Sequence, residues 1–359
     1  MNLLLFQNCI SPHQMPYIKE LKSFDGVDDV MVVAPVANLS DRKEMGWNVC
    51  WGQDDGVAVY VSPSDSEVQT ILSQYDGRDT WCFFSGIRAF PEVFRWFKMS
   101  IGKAVKRGII TEPPYLYDHP LWQHAIRFAI KDLKYVGYFD KVFVMGDEYL
   151  SYYKFWNRKW SVVPFMYCTE WKDRLIGAPP VEQLRILYVG ALSKRKNVSV
   201  LLEAVRLLEN DLQTQVEIGI IGDGDEREML EEKAHEVHSH SVTTFYGCQH
   251  MEDVCQIMQQ YDVLVLPSLY DGWGAVVNEA LILGLYVVCS DRCGAKFLLK
   301  DAQQGMVFRT HSPASLKSVL RECVKKKSWI RDTIHARIEW AKVHISGKAV
   351  AKYFLENLE

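Results

Sequence analysis

The stretch Leu266-Pro267-Ser268-Leu269-Tyr270-Asp271-Gly272-Trp273-Gly274-Ala275-Val276-Val277-Asn278-Glu279-Ala280 joins an apolar run to a helical pattern through a glycine-containing loop. A short apolar run that ends in turn residues reads as a buried strand. Gly272 and Gly274 permit close backbone approach, and the helix opening near Ala275 presents unpaired amides that suit an anion. Asp271 lies in the loop and Glu279 about one turn into the helix. The two carboxylates can bracket a ligand whose phosphates sit at the helix end, because ionised carboxylates accept several charge-assisted hydrogen bonds from hydroxyls. A strand, loop and helix of this kind is one unit of a doubly wound α/β sheet, which binds ligands at the carboxyl ends of its strands.

The same alternation extends in both directions. Downstream of residue 184, strands are expected over 185–189, 216–221, 242–246, 263–266, 286–289 and 305–308, with helices over 198–208, 226–235, 251–259 and 275–283. Upstream, apolar runs over 3–6, 30–34, 58–61, 80–84, 108–111, 141–145 and 160–165 mark a second set of strands. Between the sets, residues 169–183 are less apolar and contain Gly177, Pro179 and Pro180, so they read as a linker. The expected organisation is a domain over 1–168, the linker 169–183, a domain over 184–335, and a terminal helix over 336–359 able to cross back to the first domain. A cleft between the domains is the default ligand site.

Composition agrees with two soluble α/β domains: 359 residues divide into about two cores, and hydrophobic residues make up 48% against 24% charged. A net charge of -4 argues against a surface that grips nucleic acid. Nine cysteines, with no paired metal-ligand spacing, suggest a reduced, cytoplasmic compartment and no zinc site. The opening run Leu3-Leu4-Leu5-Phe6 is too short for a signal peptide, and no segment is apolar enough to span a bilayer.

Two further loops bear on chemistry. In Tyr188-Val189-Gly190-Ala191-Leu192-Ser193-Lys194-Arg195-Lys196-Asn197, a strand and a glycine turn lead through three cations into a helix, a combination suited to a diphosphate. In Ile221-Gly222-Asp223-Gly224-Asp225-Glu226, glycines flank an acid at a strand end. Acids favour helix starts in any protein, so this loop alone decides little.

In order, the patterns G-x-L-x-x-x-K, G-D-G-x-E and P-S-x-x-D-G-W-G-x-x-x-x-E-A-x-x-x-G resemble the second domain of the family 4 retaining glycosyltransferases. The similarity extends to bacterial polysaccharide and lipopolysaccharide transferases. It covers about residues 185–310, and the first half only by topology. The resemblance implies the GT-B fold, in which two Rossmann-like doubly wound domains face each other across a cleft. It also implies roles for residues that match the motifs. Asp271 and Glu279 stand at the family's paired acids, the first near the donor sugar and the second on the ribose. Lys196 stands at the diphosphate-binding lysine, and with the two acids it completes the implied catalytic set. The family's companion arginine is Ala191 here, which leaves Arg195 or Lys194 as substitutes. The first acid is also shortened to Asp. Gly274 and Ala275 would offer amides to the phosphates, Gly190, Gly222, Gly272, Trp273 and Val276 count among the implied donor contacts, and Gly247, Cys248 and Gln249 lie against the base. No metal or other cofactor is implied, since helix amides and cations can stabilise a departing diphosphate.

On the acceptor side the resemblance points less sharply, to His13 and Gln14 after the first strand, Glu112 after the strand at 108–111, and His119. Residues 90–107 form a separate expectation. Phe90, Phe94, Phe97, Ile101 and Val105 recur at helical spacing, while Arg95, Lys98, Lys103, Lys106 and Arg107 carry five positive charges. With Trp96 among those cations, the face suits an anionic membrane surface and a lipid-linked acceptor.

The chain is therefore expected to transfer a sugar, with retention, from a UDP- or GDP-sugar to a saccharide or lipid-linked saccharide, at the cytoplasmic face of a membrane. The alternatives are a nucleotide-sugar 2-epimerase or hydrolase of the same fold, and a non-catalytic carbohydrate-binding protein.

Overall fold

A computed structural model describes residues 1–37, 56–175, 177, 182–212, 215–237 and 241–358; Pro179 and Pro180 of the expected linker lie outside these. The chain forms two compact units, one of Met1–Glu170 with Ile345–Glu359 and the other of Trp171–His344.

The first unit holds seven parallel strands, β1 (Asn2–Phe6), β2 (Asp29–Ala34), β3 (Ala58–Val61), β4 (Thr80–Ser85), β5 (Lys106–Thr111), β6 (Lys141–Met145) and β7 (Ser161–Phe165). Their order is β3-β2-β1-β4-β5-β6-β7. Such a sheet is covered on both faces, which is why β1 is buried at every position and apolar from Leu3 to Phe6. Register fixes the layers: Leu4 lies beside Met31 on one side and Cys82 on the other. Helices α1 (Met15–Leu21), α2 (Asp65–Gln74), α3 (Pro91–Ser100), α4 (Leu121–Lys131) and α5 (Leu150–Trp156) surround the sheet.

The terminal helix Gly347–Glu356 also belongs to this unit. Phe354 meets Phe143, Phe83, Phe165 and Tyr17 with ring centroids 4.9, 5.0, 5.8 and 5.9 Å away. The preceding helix, Ile334–His344, stays with the second unit because buried Arg337 donates to the carbonyls of Gly284 and Ile330.

The expected basic, aromatic face over 90–107 is not what forms. Helix α3 ends at Ser100, so Lys106 and Arg107 begin strand β5 instead of continuing the helix. Trp96 is 1% exposed and packs on Phe6 at 6.0 Å, because Val93, Trp96, Phe97 and Ser100 turn inward together. Arg107 is buried too, and donates to the Lys103 and Val105 carbonyls beyond the helix end. Three of the remaining cations are neutralised, Arg95 by Asp65, Lys103 by Asp76 and Lys106 by Asp79. Lys98 lies over the Phe94 ring.

The second unit holds six parallel strands, β8 (Leu184–Val189), β9 (Val216–Ile221), β10 (Val242–Gly247), β11 (Val263–Leu266), β12 (Tyr286–Ser290) and β13 (Gly305–Phe308), in the order β10-β9-β8-β11-β12-β13. Its helices include α6 (Ser199–Leu212), α7 (Arg227–Val237), α8 (Met251–Met258) and α9 (Val276–Ile282). Winding reverses between β8 and β11, and the carboxyl ends of these neighbours form the crevice where doubly wound sheets bind ligands. Among the described residues, no helix is long and apolar enough to cross a membrane.

Candidate functional site

The three loops picked out by sequence converge at the β8/β11 switch point. Gly190 follows β8, Gly222 follows β9 and Gly247 ends β10, and a backbone ladder joins them. The Gly190 amide donates to the Ile221 carbonyl at 3.0 Å, and the Gly222 amide to the Gly247 carbonyl at 2.9 Å. Gly222 has φ +131°, and any Cβ there would collide with the Gly190 carbonyl, so the loops could not sit this close with another residue.

From the β11 side comes the loop of Asp271. Its backbone is held by the Arg292 carbonyl at 3.0 Å and by the Gly294 amide at 3.0 Å. Its carboxylate accepts from Lys196 Nζ at 2.6 Å, with both side chains largely shielded, and from Ser268 Oγ at 3.4 Å. The two residues assigned to diphosphate and sugar are thus paired with each other. A ligand carrying phosphates and hydroxyls offers each a replacement partner of the right polarity.

Arg195 serves the scaffold. Its Nη1 donates to the Tyr270 carbonyl at 2.9 Å, and its own carbonyl accepts from Leu269 at 2.8 Å. It stays 4.0 Å from the Asp271 carboxylate. Lys194 is exposed.

At the start of α9, Gly274 has φ +91°, and a Cβ there would press on Leu266 and Cys293. The amides of Val277 and Asn278 are taken by the Gly274 and Ala275 carbonyls. Those of Gly274, Ala275 and Val276 have no acceptor among the described residues. Trp273 differs from the expectation of a donor contact: its ring is buried, and its Nε1 donates to Asn278 Oδ1 at 2.8 Å. Its indole fastens the loop to the helix.

Glu279, one turn into α9, is partly buried, and that burial pushes its carboxyl up to about 7, with Lys172 pulling the other way. Lys172 and Glu279 also flank the Cys255 thiol of α8. Gln249 donates to the Tyr246 carbonyl at 2.6 Å, and Cys248 is exposed.

Residues 169–340 match the family model described as glycosyl transferases group 1. That segment is similar to the glycosyl transferases group 1 family. Among curated relatives, an alpha-1,4-N-acetyl-D-galactosaminyltransferase of Campylobacter jejuni is 27% identical over 173 residues, 44% of this chain and 47% of that one. A lipopolysaccharide glucosyltransferase of Escherichia coli is 27% identical over 159 residues, 43% of this chain and 42% of that one. Each alignment thus spans less than half the length of the curated relative it matches. The fold extends further: HepE of Anabaena, crystallised with UDP, matches 100% of this chain and 99% of its own at TM-score 0.68 and 14% identity. A Rickettsia africae glycosyltransferase matches with TM-score 0.68 and 14% identity, over 99% of this chain and 97% of that one. The fold is GT-B.

Within this matched segment, Lys172 escaped the sequence reading because it lies in the stretch taken as linker, with no motif around it. In the first unit, Glu112 ends up against a cavity of about 240 Å³ at the carboxyl ends of β4 and β5. Its carboxylate accepts from Tyr167 at 3.0 Å, and its backbone carbonyl from Tyr153 at 3.1 Å. Arg88, Asp132 and Arg127 also line this cavity, as does His124, which donates to the Tyr115 carbonyl at 2.7 Å. Neither His13, Gln14 nor His119 lines it. His13 is buried below Tyr167, Gln14 is buried and accepts from Gln7, and His119 is exposed, 6.1 Å from the His124 ring.

Proposed function

We propose that the protein is a retaining hexosyltransferase that moves a sugar from a nucleotide-sugar, a UDP-sugar first among them, to a saccharide or lipid-linked saccharide in glycan biosynthesis. The observation that carries this reading is the Lys196–Asp271 pair at the β8/β11 switch point, beside the open amides of Gly274, Ala275 and Val276. A relative named as a lipopolysaccharide glucosyltransferase supports it, as does one named for an undecaprenol-linked saccharide. These names favour neither the epimerase nor the non-catalytic alternative.

In this reading Lys196 leaves Asp271 and meets the diphosphate, and the open amides add their partial charges. Asp271, released, accepts from hydroxyls of the donor sugar, and Glu279 from those of the ribose. The acceptor oxygen bonds to the anomeric carbon on the face from which the nucleotide departs. The carbon–oxygen bond to phosphate breaks, its electron pair stays on the leaving diphosphate, and a phosphate oxygen takes the acceptor's proton. Lys196 and the amides supply the charge this departure needs, so we assign no role to a metal or other cofactor. Chelation is expected to leave the rate unchanged.

Mixed carboxylate, guanidinium and aromatic walls make the cavity beside Glu112 the proposed seat of the acceptor sugar. We place the reaction on the cytoplasmic side, in keeping with described cysteines that are thiols and not disulfides. The test is incubation with labelled UDP- and GDP-sugars and lipid-linked or soluble saccharides. A glycosylated product with the donor's anomeric configuration is expected; inverted product, or donor consumption that ignores every acceptor, overturns the reading.

A further inference from the structure

We propose that the acceptor is an acidic sugar, whose carboxylate or phosphate is met by Arg127 in the cavity beside Glu112; this rests on the transfer reading, which gives that cavity to the acceptor. At about 240 Å³ the cavity has room for one sugar ring. Its walls mix the rings of Phe128, Tyr152 and Tyr153 with a few charged groups, the makeup of a specific small-molecule site. The cations decide which charge the ligand carries. Arg88 donates from Nε to Asp132 at 2.7 Å, with both side chains largely shielded, so that pair is closed. His124 is committed through Nε2 to the Tyr115 carbonyl at 2.7 Å. Arg127, about one turn further along α4, lines the same cavity and forms no ion pair among the described residues. Burial raises the Asp132 carboxyl, while Arg88 and then Arg127 pull it down, so Arg127 lies within reach of an acid that Arg88 already holds.

A guanidinium on a cavity wall presents a planar fork of donors that matches a carboxylate or a phosphate. Glu112 fixes the other half of the ligand. Its carboxylate takes the Tyr167 hydroxyl at 3.0 Å. An ionised carboxylate accepts from several hydroxyls and repels a second anion. The ligand that suits both residues carries negative charge at one position and hydroxyls elsewhere, as a uronic acid or a sugar phosphate does. A neutral sugar leaves Arg127 facing hydroxyls alone, and a bare anion brings nothing to Glu112.

The probes are methyl glycosides of glucose and galactose, the corresponding uronic acids and the 6-phosphates, titrated against the full chain by ligand-observed NMR. An acidic glycoside is expected to bind about tenfold more tightly than its neutral counterpart; uronic acid against phosphate then tells which acid is read. Arg127→Gln should erase that advantage, with neutral-glycoside binding and thermal unfolding unchanged. Lys134→Gln removes an exposed cation outside the cavity and should bind every probe like wild type. Equal binding of acidic and neutral glycosides, no binding of the acidic ones, an advantage that survives Arg127→Gln, or inorganic phosphate binding as tightly as the sugar phosphates would each overturn the proposal. UDP and GDP titrated onto the same protein keep the two readings apart. Nucleotide binding without an acidic preference removes this inference and leaves the transfer reading. Acidic-glycoside binding without either nucleotide removes the transfer reading, and with it the ligand's role as acceptor.

Discussion

Lys196, Asp271 and Glu279 make different demands on experiment. Lys196→Ala removes a charge aimed at the leaving group, and kcat should fall by about a hundredfold to a thousandfold with the fold intact, as steady-state kinetics and thermal unfolding together would show. Glu279 is set by burial, which raises its carboxyl from an ordinary 4.5 to about 7. Between those values the folded chain keeps a proton that the unfolded chain has released, so its contribution to stability falls as pH rises through that window. Glu279→Gln removes this loss, and the rise in Tm it produces should be larger at about pH 8 than at about pH 5. Lys172 opposes the raised value, so Lys172→Ala should move the pH dependence of donor binding upward. The carboxylates and Lys196 were legible because motif spacing puts a charge beside a glycine turn. Lys172 was not, since a lone lysine in an irregular stretch has no local signal and reaches Glu279 only through tertiary structure.

Strands and helices separate what periodicity can reveal from what it cannot. Every strand expected from apolar runs forms, and central ones such as β1 and β11 are the plainest, because a parallel strand buried on both faces demands continuous apolar sequence. Helix α3 shows the limit. Its apolar stripe was legible, but where it stops was not: Lys106 and Arg107 look like more helix until β5 pairs with β4. That termination turns Arg107 inward and leaves Trp96 in the core. Trp96→Ala should therefore cost about 3–5 kcal/mol in denaturant unfolding, whereas an exposed, lipid-facing tryptophan would cost about 0.5 kcal/mol or less.

As a whole, the molecule is two sheets built on one plan, with their chemistry unevenly readable. Order β10-β9-β8-β11-β12-β13 brings segments from Gly190 to Gly274 to one sheet end, and the sequence motifs had picked out those same segments. In the first unit the residues around the cavity come from three segments, Arg88 after β4, Glu112 after β5, and His124 with Arg127 one turn apart on α4, and Glu112 alone was picked out. The unit also depends on the far end of the chain. Phe354 fills a space among Phe83, Phe143 and Phe165, so Phe354→Ala should cost about 3–5 kcal/mol in unfolding of the first unit. The claim that joins these observations is that the second unit holds a nucleoside diphosphate at the switch point. Calorimetric titration of UDP and GDP onto wild type and Lys196→Ala tests it most directly. One of the two should bind wild type and lose about tenfold to hundredfold in affinity with Lys196→Ala; no binding of either, or equal binding to both proteins, would contradict it.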